Sequence, residues 1–272
     1  MKDVECVEFL QWALPRLGLR WPGFRKVRRQ VCRRIERRVR ELRLPGSEDY
    51  RDFLEANPAE WGQLDALCHV TISRFYRDRG VFDFLERTVL PELAGEASAR
   101  GGAVEAWSAG CGSGEEAYTL ALIWHFALEP AFPEVALHVL ATDVDETMLE
   151  RARSAEYSKS SLRELPEAWR GTAFARRGEL FRLRRQLRAS VSVRSHDLRT
   201  APPAGPFDLV LCRNVAFTYF DLDLQGEVAA RLASCIRPGG ALVLGAHEKL
   251  PNAADELAVW STGLRVYRRR RA

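Results

Sequence analysis

An α/β fold, an open parallel sheet wrapped by helices and preceded by an all-helical N-terminal domain, is predicted for this chain by three observations. From residue 103 onward, apolar strand-like runs alternate with helical ones, as parallel strands joined by right-handed crossovers require. A glycine-rich turn, Ala109-Gly110-Cys111-Gly112-Ser113-Gly114, joins the first of these strands to a helix. Residues 1 to about 70 read as helical throughout.

The elements follow in order. Val4 to Leu17 reads as a helix, and Trp21-Pro22-Gly23 breaks the chain. A second helix is expected from Gly23 or Phe24 to Leu42, because Val27, Val31, Ile35, Val39 and Leu42 recur at spacings of four, four, four and three. Pro45-Gly46-Ser47 turns the chain, and Ser47 can cap a helix starting near Glu48. Another helix is expected over Glu60–His69. Residues 71–100 are expected to be a linker with an amphipathic helix of Phe82, Leu85, Val89 and Leu90 that stops at Pro91. Residues 101–272 then form the α/β domain. Strands are expected at 103–107, 136–141, 191–195, 207–212 and 241–245, with helices at 114–128, 146–154 and 223–236. Residues 155–196 do not fit a plain crossover. A short helix near Leu162–Phe174 and the alternating Glu179–Leu183 and Val191–Val193 predict a small hairpin insertion. Leu257–Tyr267 adds a final strand or two, and Arg268–Arg271 is expected to fray.

Composition narrows the class. A 272-residue chain that is 46% hydrophobic can bury a substantial core. It holds no apolar run of eighteen residues, so no membrane insertion is expected, and Met1–Glu5 lacks the pattern of a secretion signal. The six cysteines form no Cys-x-x-Cys pair and the five histidines show no ligand spacing, so reduced core cysteines, no metal and a cytoplasmic location are expected. Charge is uneven. Arg20–Arg43 holds eleven Lys/Arg against two Glu. The apolar stripe leaves the arginines on exposed faces, where they make either a solvated surface or a dock for nucleic acid, anionic lipid or an acidic protein.

The glycine turn carries the chemistry. Gly110, Gly112 and Gly114 let the backbone approach a ligand at a helix N-terminus. Glu115 and Glu116 follow, which disfavours a phosphate and favours a cation. About thirty residues on, Val139-Leu140-Ala141-Thr142-Asp143 ends a second strand in an acid suited to two ribose hydroxyls. A positively charged nucleoside with an acid for its ribose points to S-adenosylmethionine.

At this point the chain resembles the CheR-type chemoreceptor methyltransferases, which move methyl from S-adenosylmethionine to receptor glutamates. Ser73-Arg74-Phe75-Tyr76-Arg77 is similar to that family's Thr-x-Phe-Phe-Arg, and Trp107–Tyr118 to its Trp-Ser-Ala-x-x-Ser-Thr-Gly-Glu-Glu-Pro-Tyr. Ala141–Asp145 matches the ribose-binding strand end, and Phe207–Val215 resembles Phe-Asp-x-Ile-Phe-Cys-Arg-Asn-Val. Arg237-Pro238-Gly239-Gly240 and Gly245-Ala246-His247-Glu248 have counterparts too. Two departures stand out. Asn214–Asp221 carries one residue more than the family's Asn-Val-x-Ile-Tyr-Phe-Asp, which shifts the register of Tyr219. The Arg176–Glu179 turn is short where some members have a longer loop that binds a receptor tail peptide.

The resemblance implies a class I, Rossmann-like methyltransferase sheet that uses S-adenosylmethionine, yields S-adenosylhomocysteine and needs no metal. It implies cofactor contacts at Ser73, Arg77, Ala109, Gly110, Gly112, Glu115, Asp143, Val144, Asp197, Leu198, Asn214 and Val215. Arg77 and Tyr219 are expected to be catalytic. Glu115 would take the methionine amino group or simply offset the helix dipole. Asp197 would flank the adenine or lie at the surface. His247 and Glu248 would close the site or serve structure, and Cys111 would pack under the turn. The expected partner is an acidic helical receptor domain docked on the basic helix 24–43, with nucleic acid not expected: no Asn/Asp-Pro-Pro-Tyr/Phe segment follows the fourth strand. A same-fold enzyme for a small molecule or another protein, and a non-catalytic S-adenosylmethionine-binding module, are the alternatives.

Overall fold

A computed structural model describes residues 3–251 and 256–271. Met1, Lys2 and Ala272, at the ends of the first and last predicted segments, lie outside the described residues, as do 252–255. In chain order the first helices are α1 (Asp3–Ala13), α2 (Trp21–Phe24), α3 (Arg28–Glu41), α4 (Ser47–Ala56) and α5 (Glu60–Cys68). Next come α6 (Arg79–Phe84), α7 (Leu90–Ala99), β1 (Val104–Ala109), α8 (Glu115–Ile123), β2 (Leu137–Asp143) and α9 (Glu146–Ser154). The insertion supplies β3 (Glu156–Ser158), α10 (Glu167–Ala173), β4 (Phe174–Arg177), β5 (Leu180–Leu183) and α11 (Arg185–Arg188). The chain ends with β6 (Val191–Ser195), β7 (Phe207–Cys212), α12 (Ala216–Tyr219), α13 (Leu222–Cys235), β8 (Ile236–Leu244), β9 (Leu257–Ser261) and β10 (Val266–Arg269).

These elements group into two compact units. One runs to Thr71 and recruits Val215–Gln225; the other comprises Ile72–Asn214 and the chain from Gly226 onward. The first unit's break after Thr71 lies one residue from the expected 70, but the expected linker 71–100 and the continuous domain 101–272 differ from what is seen. Residues 72–100 pack into the sheet unit instead of linking, since Phe75, Phe82, Leu85, Val89, Leu90 and Leu93 are all in its core. Residues 215–225 leave it for the helical unit.

The helical unit buries Phe9, Leu10, Leu14, Phe24, Tyr50, Leu54 and Leu64. The Val31, Ile35, Val39 stripe of α3 is buried as its spacing demands. The basic helix starts at Arg28 and not at residue 23 or 24, because Gly23 and Phe24 belong to the separate turn α2. Thr218 passes so close that a Cβ on Gly23 would stand 2.3 Å from its carbonyl oxygen, and this tertiary contact holds α2 apart. Helix α1 gives way at Pro15 to a 3₁₀ turn, Leu14–Leu17, that Gly18 ends in the left-handed region. Cys6 and Cys32 form a disulfide between α1 and α3, where reduced core cysteines were expected; their Cα atoms are 5.9 Å apart, within bridging range. Cys68, Cys111, Cys212 and Cys235 are buried and not disulfide-bonded.

The sheet unit holds a seven-stranded sheet in the order β6-β2-β1-β7-β8-β10-β9. The first five strands are mutually parallel and β10 runs antiparallel to both neighbours. Their near-continuous apolar runs, such as fully buried Phe207–Cys212, fit a parallel sheet covered on both faces. Pro91 does not end its helix. A π turn over Leu85–Val89 precedes it, and Pro91 then sits in the first turn of α7, where its missing N–H costs nothing. A second π turn, Trp124–Leu128, completes the helix predicted to 128. The insertion holds a hairpin, β4–β5, to which β3 adds a third antiparallel strand in the order β3-β5-β4; this extra strand is three residues long, too short to show a period. Val191–Ser195 belongs to the main sheet as its edge. The arginine run is not frayed: Arg268 pairs with Glu92 at 2.8 Å, Arg269 with Glu256 at 3.1 Å, and Arg271 with Glu96.

Candidate functional site

Five parallel strands put five carboxyl ends on one edge of the sheet, where open α/β sheets bind ligands. Ala109 ends β1 and Gly110 follows it, Asp143 ends β2, Asp197 follows β6, Asn214 follows β7 and Gly245 follows β8. This edge gathers most of the residues singled out in the sequence.

The turn after β1 has the conformation its glycines suggested. Gly110, Gly112 and Gly114 have φ of 76°, 55° and 88°. A Cβ on Gly114 would stand 3.0 Å from Ala152 Cβ and 3.1 Å from Tyr118 Cε2, so α8 packs where only glycine fits. The amides of Gly110 and Cys111 both donate to the Thr142 carbonyl at 2.8 Å. The Gly112 amide donates to Asp143 Oδ2 at 2.8 Å, and the Asp145 amide to Oδ1 at 3.0 Å. Asp143 therefore ties the turn to β2 and keeps a further lone pair on each oxygen for a hydroxyl. Val144 beside it is 41% exposed, an apolar face next to the acid. Cys111 is buried, and that burial raises its thiol well above the ordinary value, so it packs without reacting.

The two glutamates of the helix start differ sharply. Glu116 accepts from Arg213 at 2.8 Å and from Ser108 Oγ at 3.1 Å. Glu115 is 2% exposed and accepts from Ser113 Oγ at 2.9 Å, yet among the described residues no cation pairs with it. A buried carboxylate without a counter-charge is costly unless a cation arrives to match it.

Arg213 was missed in the sequence, although a charge closing the apolar run Phe207–Cys212 is itself a signal. Its side chain is 2% exposed and lies over the Phe82 ring. Besides Glu116 it donates to Asp78 Oδ2 at 2.7 Å and to the Arg77 carbonyl at 3.1 Å. Arg77 is partly exposed; its guanidinium donates to the Ile72 carbonyl and has no acid partner among the described residues. Ser73 is half-buried in the irregular segment leading to it.

Asn214 adopts φ 58°, held by Glu248, whose Oε2 accepts from the amides of Asn214 (2.8 Å) and Gly245 (2.7 Å). Glu248 is thus structural, while His247 is exposed. A Cβ on Gly245 would stand 2.7 Å from Asn214 Oδ1 and 2.8 Å from Glu248 Oε2, so any other residue would displace one of them. The His196 amide donates to the Asp143 carbonyl at 3.0 Å, so Asp197 and Leu198 follow directly beside the ribose-type acid. Asp197 is already engaged by Arg199, with nitrogen–oxygen distances of 2.8–3.0 Å, and Leu198 is buried. Val215 and Tyr219 belong to the helical unit, where the Tyr219 ring packs on Phe24 with centroids 5.0 Å apart.

A glycine cradle, an unmatched buried acid and a strand-end acid define an S-adenosylmethionine-binding methyltransferase domain of class I. The family model described as "CheR methyltransferase, SAM binding domain" matches residues 71–264, and the chain belongs to the CheR methyltransferase family. A chemotaxis protein methyltransferase of Listeria monocytogenes is 36% identical over 190 residues, covering 70% of each chain. A probable chemotaxis protein methyltransferase of Rhizobium etli is 30% identical over 245 residues, covering 88% of this chain and 90% of its own. An uncharacterized 104.1 kDa protein of Rhodobacter capsulatus is 32% identical over 237 residues; these cover 87% of this chain but 25% of that protein. No group of three or more potential ligands for a metal ion occurs among the described residues. No described helix is long and apolar enough to cross a membrane.

Proposed function

We propose that this chain transfers methyl from S-adenosylmethionine to glutamate side chains of a chemoreceptor-like signalling protein in the cytoplasm, forming a glutamate methyl ester and S-adenosylhomocysteine. The observation that carries the proposal is the pairing asymmetry at the sheet edge: among the described residues no cation pairs with Glu115 or Asp143, while neighbouring Glu116 has one. In this reading Glu115 binds the methionine ammonium and Asp143 accepts from the ribose. Val144, Asp197 and Leu198 flank the base, and the Ala109–Gly112 backbone, Ser73, Asn214 and Val215 complete the cofactor contacts. When bound, the cofactor supplies an electrophilic methyl on a cationic sulfur. A glutamate acceptor is ionised at neutral pH and needs no general base, which agrees with a site built from orientation alone. Arg77 is free to hold the acceptor carboxylate bidentately.

The basic helix is the proposed dock. Arg34 and Arg38 turn inward, to the Leu67 carbonyl and Glu60. Arg29, Arg33, Arg37 and Arg40 of α3 remain exposed at spacings of four, four and three that keep them on one face, and Arg25, Lys26 and Arg43 are exposed beyond its two ends. An acidic helical bundle matches such a stripe, and its binding should weaken as salt rises.

A second reading, a cofactor-binding module without turnover, draws on one observation: the Tyr219 ring is committed to Phe24. One experiment separates the two. Tritiated-methyl cofactor incubated with a receptor cytoplasmic fragment should leave base-labile label on that fragment. Cofactor uptake by calorimetry without any label supports the module, and no uptake at all rejects both.

A further inference from the structure

Arg77 stands on an unusual stretch of backbone. Both of its neighbours are non-glycine residues in the left-handed region, Tyr76 at φ 56° and Asp78 at φ 63°. Such conformations are costly for residues with a side chain and persist only where the surroundings impose them. Four hydrogen bonds, two on each side, brace the turn here. The Tyr76 amide donates to Thr119 Oγ1 at 3.2 Å, while its hydroxyl donates to Glu86 at 2.9 Å. On the other side, one Nη of Arg213 holds both the Arg77 carbonyl and Asp78 Oδ2, and its other Nη holds Glu116. Glu116 in turn accepts from Ser108 on β1. A single buried guanidinium thus links the end of β7, the start of α8, β1 through Ser108, and the Arg77 turn.

We infer that Arg213 is a positioning residue: it sets the strained turn that aims the Arg77 guanidinium at the acceptor. The inference rests on the reading that Arg77 holds the acceptor carboxylate. The Arg213 side chain is 2% exposed, with both Nη atoms engaged and its Nε buried without a partner among the described residues, so it does not reach the acceptor itself and any effect on transfer passes through what it holds. Lysine cannot substitute, because one ammonium cannot span two acids and a carbonyl in a fork geometry.

The test uses Arg213→Lys and, as the milder change at a partly exposed partner, Asp78→Asn. Nitrogen-15 arginine spectra of the full chain report the Arg77 Nε–H directly, assigned by its loss in Arg77→Lys. Hydrogen exchange at that group should accelerate about tenfold or more in Asp78→Asn, while affinity for S-adenosylhomocysteine stays within about threefold. With a receptor cytoplasmic fragment as acceptor, kcat should fall about tenfold and KM for the cofactor should hold. Adding Asp78→Asn to Arg77→Ala should then change nothing further, because both act through one group. Additive losses, or unchanged Arg77 exchange in Asp78→Asn, overturn the positioning role even if Arg77→Ala is inactive. An Arg77→Ala protein that transfers methyl normally removes the underlying reading instead. Should Arg213→Lys fail to fold, Asp78→Asn still decides the question.

Discussion

Glu115 and Glu116 show how much one residue step matters. Both are acids in the first turn of α8, and sequence offers no way to tell them apart. The fold does, because successive helical residues point about 100° apart and only one can face Arg213. Opposite outcomes follow on neutralising each. Glu116→Gln strips a counter-charge from a buried guanidinium and should cost about 2–3 kcal/mol in chemical denaturation. Glu115→Gln removes a charge that no cation offsets, so stability should stay within about 1 kcal/mol. Its affinity for S-adenosylhomocysteine, measured by calorimetry, should instead fall about tenfold or more, as a charge-assisted hydrogen bond is lost. If Glu115→Gln unfolds the protein and Glu116→Gln spares it, the two assignments are reversed. At this scale the glycines and Asp143 were readable because their signal is local: a turn, an acid and a spacing. Arg213, Asp78 and the Glu248 bond to Asn214 were not, since each joins segments at least 34 residues apart.

Elements were legible where their period is long and hidden where a tertiary contact decides. The stripe of α3 and the five parallel strands follow directly from apolar spacing. The π turn that carries Pro91 into α7 and the three-residue β3 leave no pattern of their own. The attachment of α3 is likewise long-range and makes two predictions. The first concerns the Cys6–Cys32 disulfide, which closes a loop of 26 residues between α1 and α3. On the chain-entropy view such a cross-link contributes about 3 kcal/mol. Cys32→Ser should therefore lower the denaturation midpoint of the helical unit, and thiol reductant should do the same to the parent but nothing to the variant; equal midpoints with and without reductant would remove the cross-link. The second concerns Glu60 on α5. It accepts both Arg38 nitrogens at 2.8 Å and the Tyr50 hydroxyl at 2.9 Å. The Arg38 guanidinium, more than the Tyr50 hydroxyl, holds its carboxyl below the ordinary 4.5, while burial opposes the shift. A lowered folded value means the pair stabilises fully above the unfolded pKa and is lost as pH falls through the folded one. Glu60→Gln should thus be less stable than the parent at pH 7, with the gap closing below about pH 4. A gap independent of pH would mean that Glu60 contributes through packing alone.

At the scale of the whole molecule the least legible feature is that the helical unit is discontinuous in sequence. Residues 215–225 sit in the middle of an α/β pattern, between β7 and the body of α13, and nothing in that pattern separates them from the sheet. The clue was Gly23, read as a chain break; it is a glycine because Thr218 crosses it with no room for a Cβ. Around that crossing, the Arg20 amide donates to the Tyr219 carbonyl at 2.8 Å and its guanidinium to the Phe217 carbonyl at 2.7 Å. The Asp221 amide donates to the Gly18 carbonyl at 2.8 Å, and Tyr219 and Phe220 pack against the helical core. A fragment ending at Thr71 loses all of this. Two aromatic side chains, each worth about 1.5–3 kcal/mol when fully buried, and several backbone partners disappear from a core of some seventy residues, a size at which net stability is small. Residues 1–71 alone should keep helical circular dichroism yet melt broadly, at a lower temperature than the same residues with 215–225 appended through a glycine–serine linker. Cooperative melting of both at one temperature would show that the helices are self-sufficient and that the returning segment merely rests on them.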